Sequence, residues 1–183
     1  MIDSEVSEAI SGLVVQRDES AGKNAERTQI LCQLLVLELR GGSAYGNVLT
    51  DAYVNNIYHA ASLYGAGEKV LQRSLDKDPQ NEFIKYCIEM ASYRHEKWDG
   101  SGYPEGLYGL DIPLSARVMA LVDAYEELRS KRYYKEPLSH AQSVKIIKEG
   151  GAIKFDPSVV KAFSSIEAKF DDIFEATRGE EPK

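Results

Sequence analysis

The sequence is poor in cysteine and in long apolar runs, and each shortage excludes a class of protein. Its 183 residues include only two cysteines, Cys32 and Cys87, which argues against a disulfide framework or a zinc knuckle. Both lie in apolar stretches of helical spacing, so we expect small buried hydrophobes in a reducing compartment. The most apolar run, residues 30–39, is interrupted by Gln33 and Glu38 and is too short to span a bilayer.

Positive charge and histidine are also scarce. The chain has 22 Lys and Arg against 29 Asp and Glu, a formal net charge of −7. A nucleic-acid surface would have to be a local patch acting against this acidic average, so we expect no nucleic-acid partner. The first ten residues are acidic where a signal peptide is basic, and we predict a cytoplasmic protein with no membrane segment. The chain has three histidines, His59, His95 and His140.

What is present fits one globular domain of helices. The sequence is 43% apolar and 28% charged, and its apolar residues recur at helical spacing with no convincing alternating run. We therefore predict an all-α bundle of about seven helices, forming one domain over residues 1–176 with a disordered polar tail at 177–183. The apolar stripes lie at residues 6–14, 31–39, 54–61, 83–91, 118–128, 144–147 and 159–163.

Three helix starts can be predicted from local chemistry. Ser115 is a candidate cap for the fifth stripe. Ser139 and Gln142 have the spacing of a capping box. Asp156 followed by Pro157 is typical of an N-cap and a first helical position.

Residues 98–114 interrupt the helical pattern with a Gly/Pro-rich loop. They read WDGSGYPEGLYGLDIPL and hold four of the 14 glycines and two of the six prolines, too many for a helix or a central strand. Because aromatic and aliphatic residues such as Trp98 and Ile112 are mixed in, we predict an ordered loop that packs down onto the domain.

This loop and its surroundings carry a family resemblance. Residues 95–104 read HEKWDGSGYP, residues 130–135 read SKRYYK, and residues 155–157 read FDP, with Asp123 between them. Together these segments resemble the signature of HD-GYP domains. The resemblance implies an all-α fold, two or three bound metal ions, usually iron or manganese, and hydrolysis of the bacterial second messenger cyclic di-GMP.

The resemblance also marks positions at which the family's metal ligands are replaced. Residues 20–29 resemble a segment with a glutamate and a histidine ligand, and residues 60–68 resemble the segment with the His-Asp pair and a catalytic lysine. Only His95 and Asp123 remain of the implied ligand set. The replacements are Ser20, Asn24, Tyr64, Gly65, Glu68 and Arg94.

Metal-assisted phosphodiester hydrolysis needs imidazole and carboxylate donors that hold cations close together. With so few of the implied donors, we predict no metal cofactor and a catalytically inactive domain. Asp123 is then expected to be a buried acceptor for Arg94, His95 or a backbone amide. A single weakly held metal at His95 and Asp123 is the alternative.

The chain retains other residues for which the resemblance implies a function. The resemblance implies that Arg132 and Lys135 contact the phosphates of cyclic di-GMP and that Tyr103 lies over the ligand. Arg129 and Lys131 extend this basic cluster with no acidic residue between its members, and an arginine fork suits phosphate. The alternative is a solvated basic helix end.

The loop supports a second interpretation, that of a docking edge. The resemblance implies that Gly102, Tyr103 and Pro104 lie in a loop able to contact signalling proteins such as diguanylate cyclase domains. Exposed aromatic side chains would suit an interface. The alternative is that glycines and prolines only set the turns that close the helical core.

Taken together, these patterns favour a regulatory or protein-interaction module of cyclic di-GMP signalling that retains some nucleotide binding. A first alternative is a cyclic di-GMP phosphodiesterase whose altered metal site uses His95, Asp123 and carboxylates of the acidic half. A second alternative is a structural dimerisation domain, and a homodimer is compatible with all three.

Overall fold

The protein is a bundle of helices. The computed structural model describes residues 19–42, 45–46, 48–64, 68–131 and 136–178. Within these residues lie seven α-helices and one short 3-10 turn, Gly109–Asp111, which confirms the predicted all-α fold. The helices are α1 Glu19–Gly41, α2 Asp51–Ala60, α3 Glu68–Lys77, α4 Glu82–Tyr93, α5 Leu114–Arg129, α6 His140–Glu149 and α7 Pro157–Thr177.

The described residues contain seven helices and about seven were predicted for the chain, but the individual helices differ. The first apolar stripe, residues 6–14, lies outside the described residues, as do residues 179–183 of the predicted tail. Helix α3 was missed because its sequence, EKVLQRSLDK, is mostly polar and offers only a narrow apolar face. One leucine of that face, Leu71, is 1% exposed and joins the core.

The core lies where α5 is enclosed by α1, α4, α6 and α7. Tyr125 of α5 is fully buried, with its ring 5.9, 5.3 and 6.1 Å from the rings of Phe163, Phe170 and Phe174 of α7. Both cysteines are free and buried, as predicted, and burial raises the pKa of both thiols, that of Cys87 to about 12.

Two of the three helix starts predicted from local chemistry are found in the structure. The Ser139 side chain accepts from the Gln142 amide while Gln142 accepts from the Ser139 amide, so the capping box is formed. The Asp156 carboxylate accepts from the amide of Ser158 at 2.7 Å. Ser115 is not a cap: α5 begins before it, and its buried hydroxyl donates to Glu89 of α4.

The Gly/Pro-rich loop between α4 and α5 is ordered and packs against the turn that precedes α7. The amides of Trp98 and Asp99 donate to the carbonyl oxygens of Lys154 and Ile153 at 3.2 and 3.0 Å. The Gly109 amide donates to the Trp98 carbonyl at 3.0 Å. Among the described helices, none is long and apolar enough to cross a membrane.

Candidate functional site

A cleft of about 200 Å³ opens beside the loop. Its lining comes from the end of α4, the loop, one face of α5 and the turn before α7, and includes Arg94, His95, Tyr103, Asp123 and Lys154. The fold therefore brings both remaining ligand positions of the resemblance, His95 and Asp123, to one cleft together with Tyr103 of the loop.

An aromatic stack forms the rim of this cleft. The rings of His95 and Tyr103 are nearly parallel, with centroids 4.9 Å apart and an interplanar angle of 21°. The Tyr103 amide also donates to the His95 carbonyl at 3.3 Å. Because Tyr103 is 61% exposed, its outer face offers an apolar surface to a ligand at the cleft.

The neighbours of Tyr103 explain why the loop needs their residue types. A Cβ on Gly102 would lie 2.4 Å from the Lys97 nitrogen and 2.5 Å from the Cα of Glu96, so only glycine fits this approach. Pro104 follows Tyr103 through a cis peptide bond and is exposed. Gly102 therefore allows the loop backbone to approach Glu96 and Lys97 closely.

Arg94 stands at the position where the resemblance implies a histidine. Its guanidinium lies over the Tyr64 ring, 5.6 Å from the centroid, and donates to the Ala91 carbonyl. These contacts place a permanent positive charge on the wall of the cleft, next to His95.

The implied N-terminal ligand position, Asn24, is hydrogen-bonded to a buried ion pair. Arg27 is 3% exposed and donates from Nε and Nη2 to the two oxygens of Glu126, at 2.6 and 2.5 Å. Nη2 also donates to Oδ1 of Asn24 at 2.8 Å. Burial raises the pKa of Glu126, while Arg27 acts in the opposite direction. Asn24 thus supports a salt bridge.

The described residues do not fit the two or three metal ions that the resemblance implies. Within the part of the chain that the structure describes, no three His, Cys, Asp or Glu side chains are grouped so that they could hold a metal ion. His95 and Asp123 supply two donors, fewer than the three that even an open catalytic zinc site uses.

The predicted basic cluster is divided by the fold. Arg129 is 7% exposed and donates to Asp171 and Glu175 of α7, at 2.8 and 2.5 Å, so it is directed into the bundle. Lys131 is exposed. Arg132 and Lys135 lie outside the described residues. His140 is tied to the same region, because its Nδ1 lies 3.0 Å from the Tyr125 hydroxyl.

Lys154 is a cleft residue that the sequence reasoning missed. It is exposed and lies directly before the FDP segment. The only sequence signal for Lys154 was its position next to the FDP segment. The turn before α7, which pairs with the loop, brings it to the cleft that also contains His95.

Two larger clefts lie elsewhere. One, of about 360 Å³, lies between the end of α1 and the start of α7, and the other, of about 670 Å³, is lined by Arg129 and the start of α6. Neither contains His95 or Asp123, so the smaller cleft remains the candidate site despite its size.

Comparisons with known proteins show what this chain is similar to. Residues 71–159 match the family model described as an HD domain. A probable cyclic di-GMP phosphodiesterase of Vibrio cholerae is 35% identical over 94% of this chain and 46% of its own length. A cyclic di-GMP phosphodiesterase of Thermotoga maritima is 31% identical over 63% of this chain and 30% of its own length. These findings support the predicted resemblance to HD-GYP domains.

A solved structure supports the fold. The cyclic GMP-AMP specific phosphodiesterase of Vibrio cholerae has a TM-score of 0.50 and 13% identity, covering 88% of this chain and 51% of that chain. The chain thus spans about half the length of these relatives or less.

The comparisons correct three predictions. The predicted catalytic inactivity and the regulatory role built on it are wrong, because relatives at 31–35% identity are named phosphodiesterases. The prediction of no cofactor is wrong for the same reason, since HD-domain phosphodiesterases typically use a metal. The replaced ligands are few beside the similarity that extends over the rest of the chain.

Proposed function

We propose that this chain is an HD-GYP phosphodiesterase domain with an altered ligand set, and that it hydrolyses a cyclic dinucleotide such as cyclic di-GMP. The observation that carries the proposal is the convergence of His95, Asp123 and Tyr103 on one cleft. The printed names of the relatives, which include phosphodiesterases of cyclic di-GMP and of cyclic GMP-AMP, supply the substrate class.

The chemistry of the cleft suits a phosphodiester. Arg94 and Lys154 carry positive charge that attracts a phosphate. The Tyr103 ring offers a surface on which a base can stack. Ligand sites commonly occupy 300–1,000 Å³, so a cleft of about 200 Å³ would hold one phosphate and its ribose while the rest of the ligand lies over the exposed loop.

In the proposed reaction, water attacks one phosphorus, a P–O ester bond breaks, and the ring opens to a linear dinucleotide. His95 lines the cleft, where its imidazole can pass a proton from the attacking water to the leaving oxygen. Arg94 and Lys154 bind and orient the phosphate, and Asp123 contributes a carboxylate to the cleft wall.

The test is a turnover assay on the protein with added manganese or iron. We expect a linear dinucleotide to form from cyclic di-GMP, and His95→Asn to slow its formation about 100-fold or more. His59→Asn is the matched control, because His59 packs edge-on against Tyr58 and does not line the cleft. If the metal-supplemented wild type forms no linear product from cyclic di-GMP or cyclic GMP-AMP, the proposal is wrong.

Several finer expectations belong to the same proposal. Docking of signalling proteins such as diguanylate cyclase domains is supported by the exposure of Tyr103 and Tyr108, which are 61% and 64% exposed. Phosphate contacts by Arg132 and Lys135, a homodimer, a cytoplasmic location and a single domain over residues 1–176 also stay predictions.

A further inference from the structure

One buried carboxylate organises the loop that carries Tyr103. Glu96 is 3% exposed. Its Oε1 accepts from the amides of Glu105 and Gly106 at 2.7 and 3.1 Å, and its Oε2 accepts from the amide of Leu107 at 3.1 Å. Three successive backbone donors from the far side of the loop therefore converge on one side chain next to His95.

The near side of the loop is fixed at the same point. Gly102 packs directly against the backbone of Glu96 and Lys97, where a Cβ would not fit. Tyr103 follows, with its amide bonded to His95. Residues 96–107 thus form a closed ring that begins and ends at Glu96, and Tyr103 lies within that ring.

We propose that Glu96 is a positioning residue, whose carboxylate holds the loop so that Tyr103 stays stacked on His95 at the rim of the cleft. The proposal rests on the proposed function for its consequence, because Tyr103 matters only if a ligand binds there. Glu96 also lines the cleft, but both of its oxygens accept from loop amides, so its role is indirect.

The ring requires two acceptor oxygens. Glutamine at position 96 would keep one oxygen and turn an NH2 group towards the Leu107 amide, so that two donors face each other. Alanine would leave all three amides without their acceptor, and hydrogen bonds to a charged group are stronger than neutral ones. The two substitutions should therefore loosen the loop by different amounts.

The experiment compares Glu96→Gln and Glu96→Ala with Glu105→Gln, a control in the same loop. Glu105 carries an exposed carboxylate whose oxygen accepts from the Tyr93 hydroxyl at 3.2 Å, while its amide contact to Glu96 does not depend on its side chain. Amide hydrogen exchange of residues 105–107 measures loop closure. Proton NMR of the His95 ring measures the stack, and only three histidines need to be assigned.

We expect exchange at Leu107 to be about tenfold faster in Glu96→Gln, and exchange at all three amides about 100-fold faster in Glu96→Ala. The ring-current shift of the His95 protons should shrink in the same order. The KM for cyclic di-GMP should rise about tenfold in Glu96→Ala, with kcat within about threefold of wild type. Glu105→Gln should match wild type throughout.

Unchanged exchange and an unchanged His95 shift in both Glu96 variants would overturn the proposal. So would a loosened loop with an unchanged KM, if Tyr103→Ala raises the KM. If the wild type neither binds nor hydrolyses cyclic di-GMP, the proposed function has failed, and the exchange rates and the His95 shift still decide whether Glu96 anchors the loop.

Discussion

The helical bundle and the loop beside the cleft are stabilised by different kinds of contact. In the bundle, Tyr125 and Phe170 belong to an aromatic cluster that excludes water. In the loop, Glu96 accepts three backbone amides, while Tyr103 stays largely exposed. Apolar packing depends on volume and tolerates imprecise geometry, whereas hydrogen bonds to one carboxylate fix a particular backbone path. The loop is therefore the part of the molecule suited to placing a side chain accurately.

The largest effect should come from the bundle. Phe170→Ala removes a fully buried ring that contacts Tyr125 and Phe163. We expect the free energy of unfolding, measured by urea denaturation, to fall by about 4 kcal/mol. The ratio of the amide exchange rates of residues 105–107 to those of the rest of the protein should be the same as in the wild type. If the amides of residues 105–107 lose protection from exchange more than the helices do, the loop and the bundle are not stabilised separately.

A second effect should appear where the two regions meet. Asp156 is 2% exposed, pairs with Arg117 at 2.5 Å and caps α7, while the Arg117 guanidinium lies 5.9 Å from the Trp98 ring of the loop. Asp156→Ala leaves Arg117 buried without its partner, so we expect a loss of about 3 kcal/mol in urea denaturation.

The same variant tests the connection to the loop. Trp98 is the only tryptophan of the chain, so its fluorescence reports the loop directly, and its emission should shift in Asp156→Ala. Asp156→Asn keeps an acceptor for the α7 cap and should lose less stability. Equal losses in the two variants would show that the cap hydrogen bond contributes nothing beyond the lost charge.

The smallest effect concerns a carboxylate that accepts few hydrogen bonds. Glu89 of α4 accepts from the Ser115 hydroxyl, whereas Glu96 accepts three amides. Burial raises the pKa of Glu89, although Ser115 and Lys85 act in the opposite direction. Because the folded state then holds the proton more tightly than the unfolded state, this group favours folding at low pH, and its contribution is lost as the pH rises through the raised pKa.

Glu89→Gln should therefore flatten the decrease of Tm as the pH rises above the ordinary range of a glutamate pKa. Glu82→Gln, at an exposed position on the same helix, is the control and should leave the profile of the wild type unchanged. A steeper profile in Glu89→Gln would show that the carboxylate is better stabilised when charged.

Sequence and structure agree most closely where local chemistry decides. The capping box at Ser139 and the Asp156-Pro157 start depend on residues close together in the chain, and both are formed. Helix α3 was missed because its apolar face is narrow, and tertiary packing of Leu71 supports it. Ser115 was misassigned because its half-buried partner, Glu89, is distant in sequence.

The candidate site could be predicted in part. The resemblance marked His95, Tyr103 and Asp123, and the fold brings these three to one cleft. Its only signal for Lys154 was the adjacent FDP segment, and it gave none for the burial of Arg129. Both depend on which helices and turns are neighbours, and single-chain periodicity contains no information about that.

The sequence by itself determined the helical class, the ordered loop and the scarcity of histidine donors, because these follow from periodicity, glycine and proline content, and counting. Only the tertiary structure decided how the parts are used. It paired Arg27 with Glu126, directed Arg129 into the bundle, and closed the loop on Glu96. Each of these contacts joins residues whose distance is set by the packing of helices or the path of a loop, and polar groups buried by that packing must find their partners there.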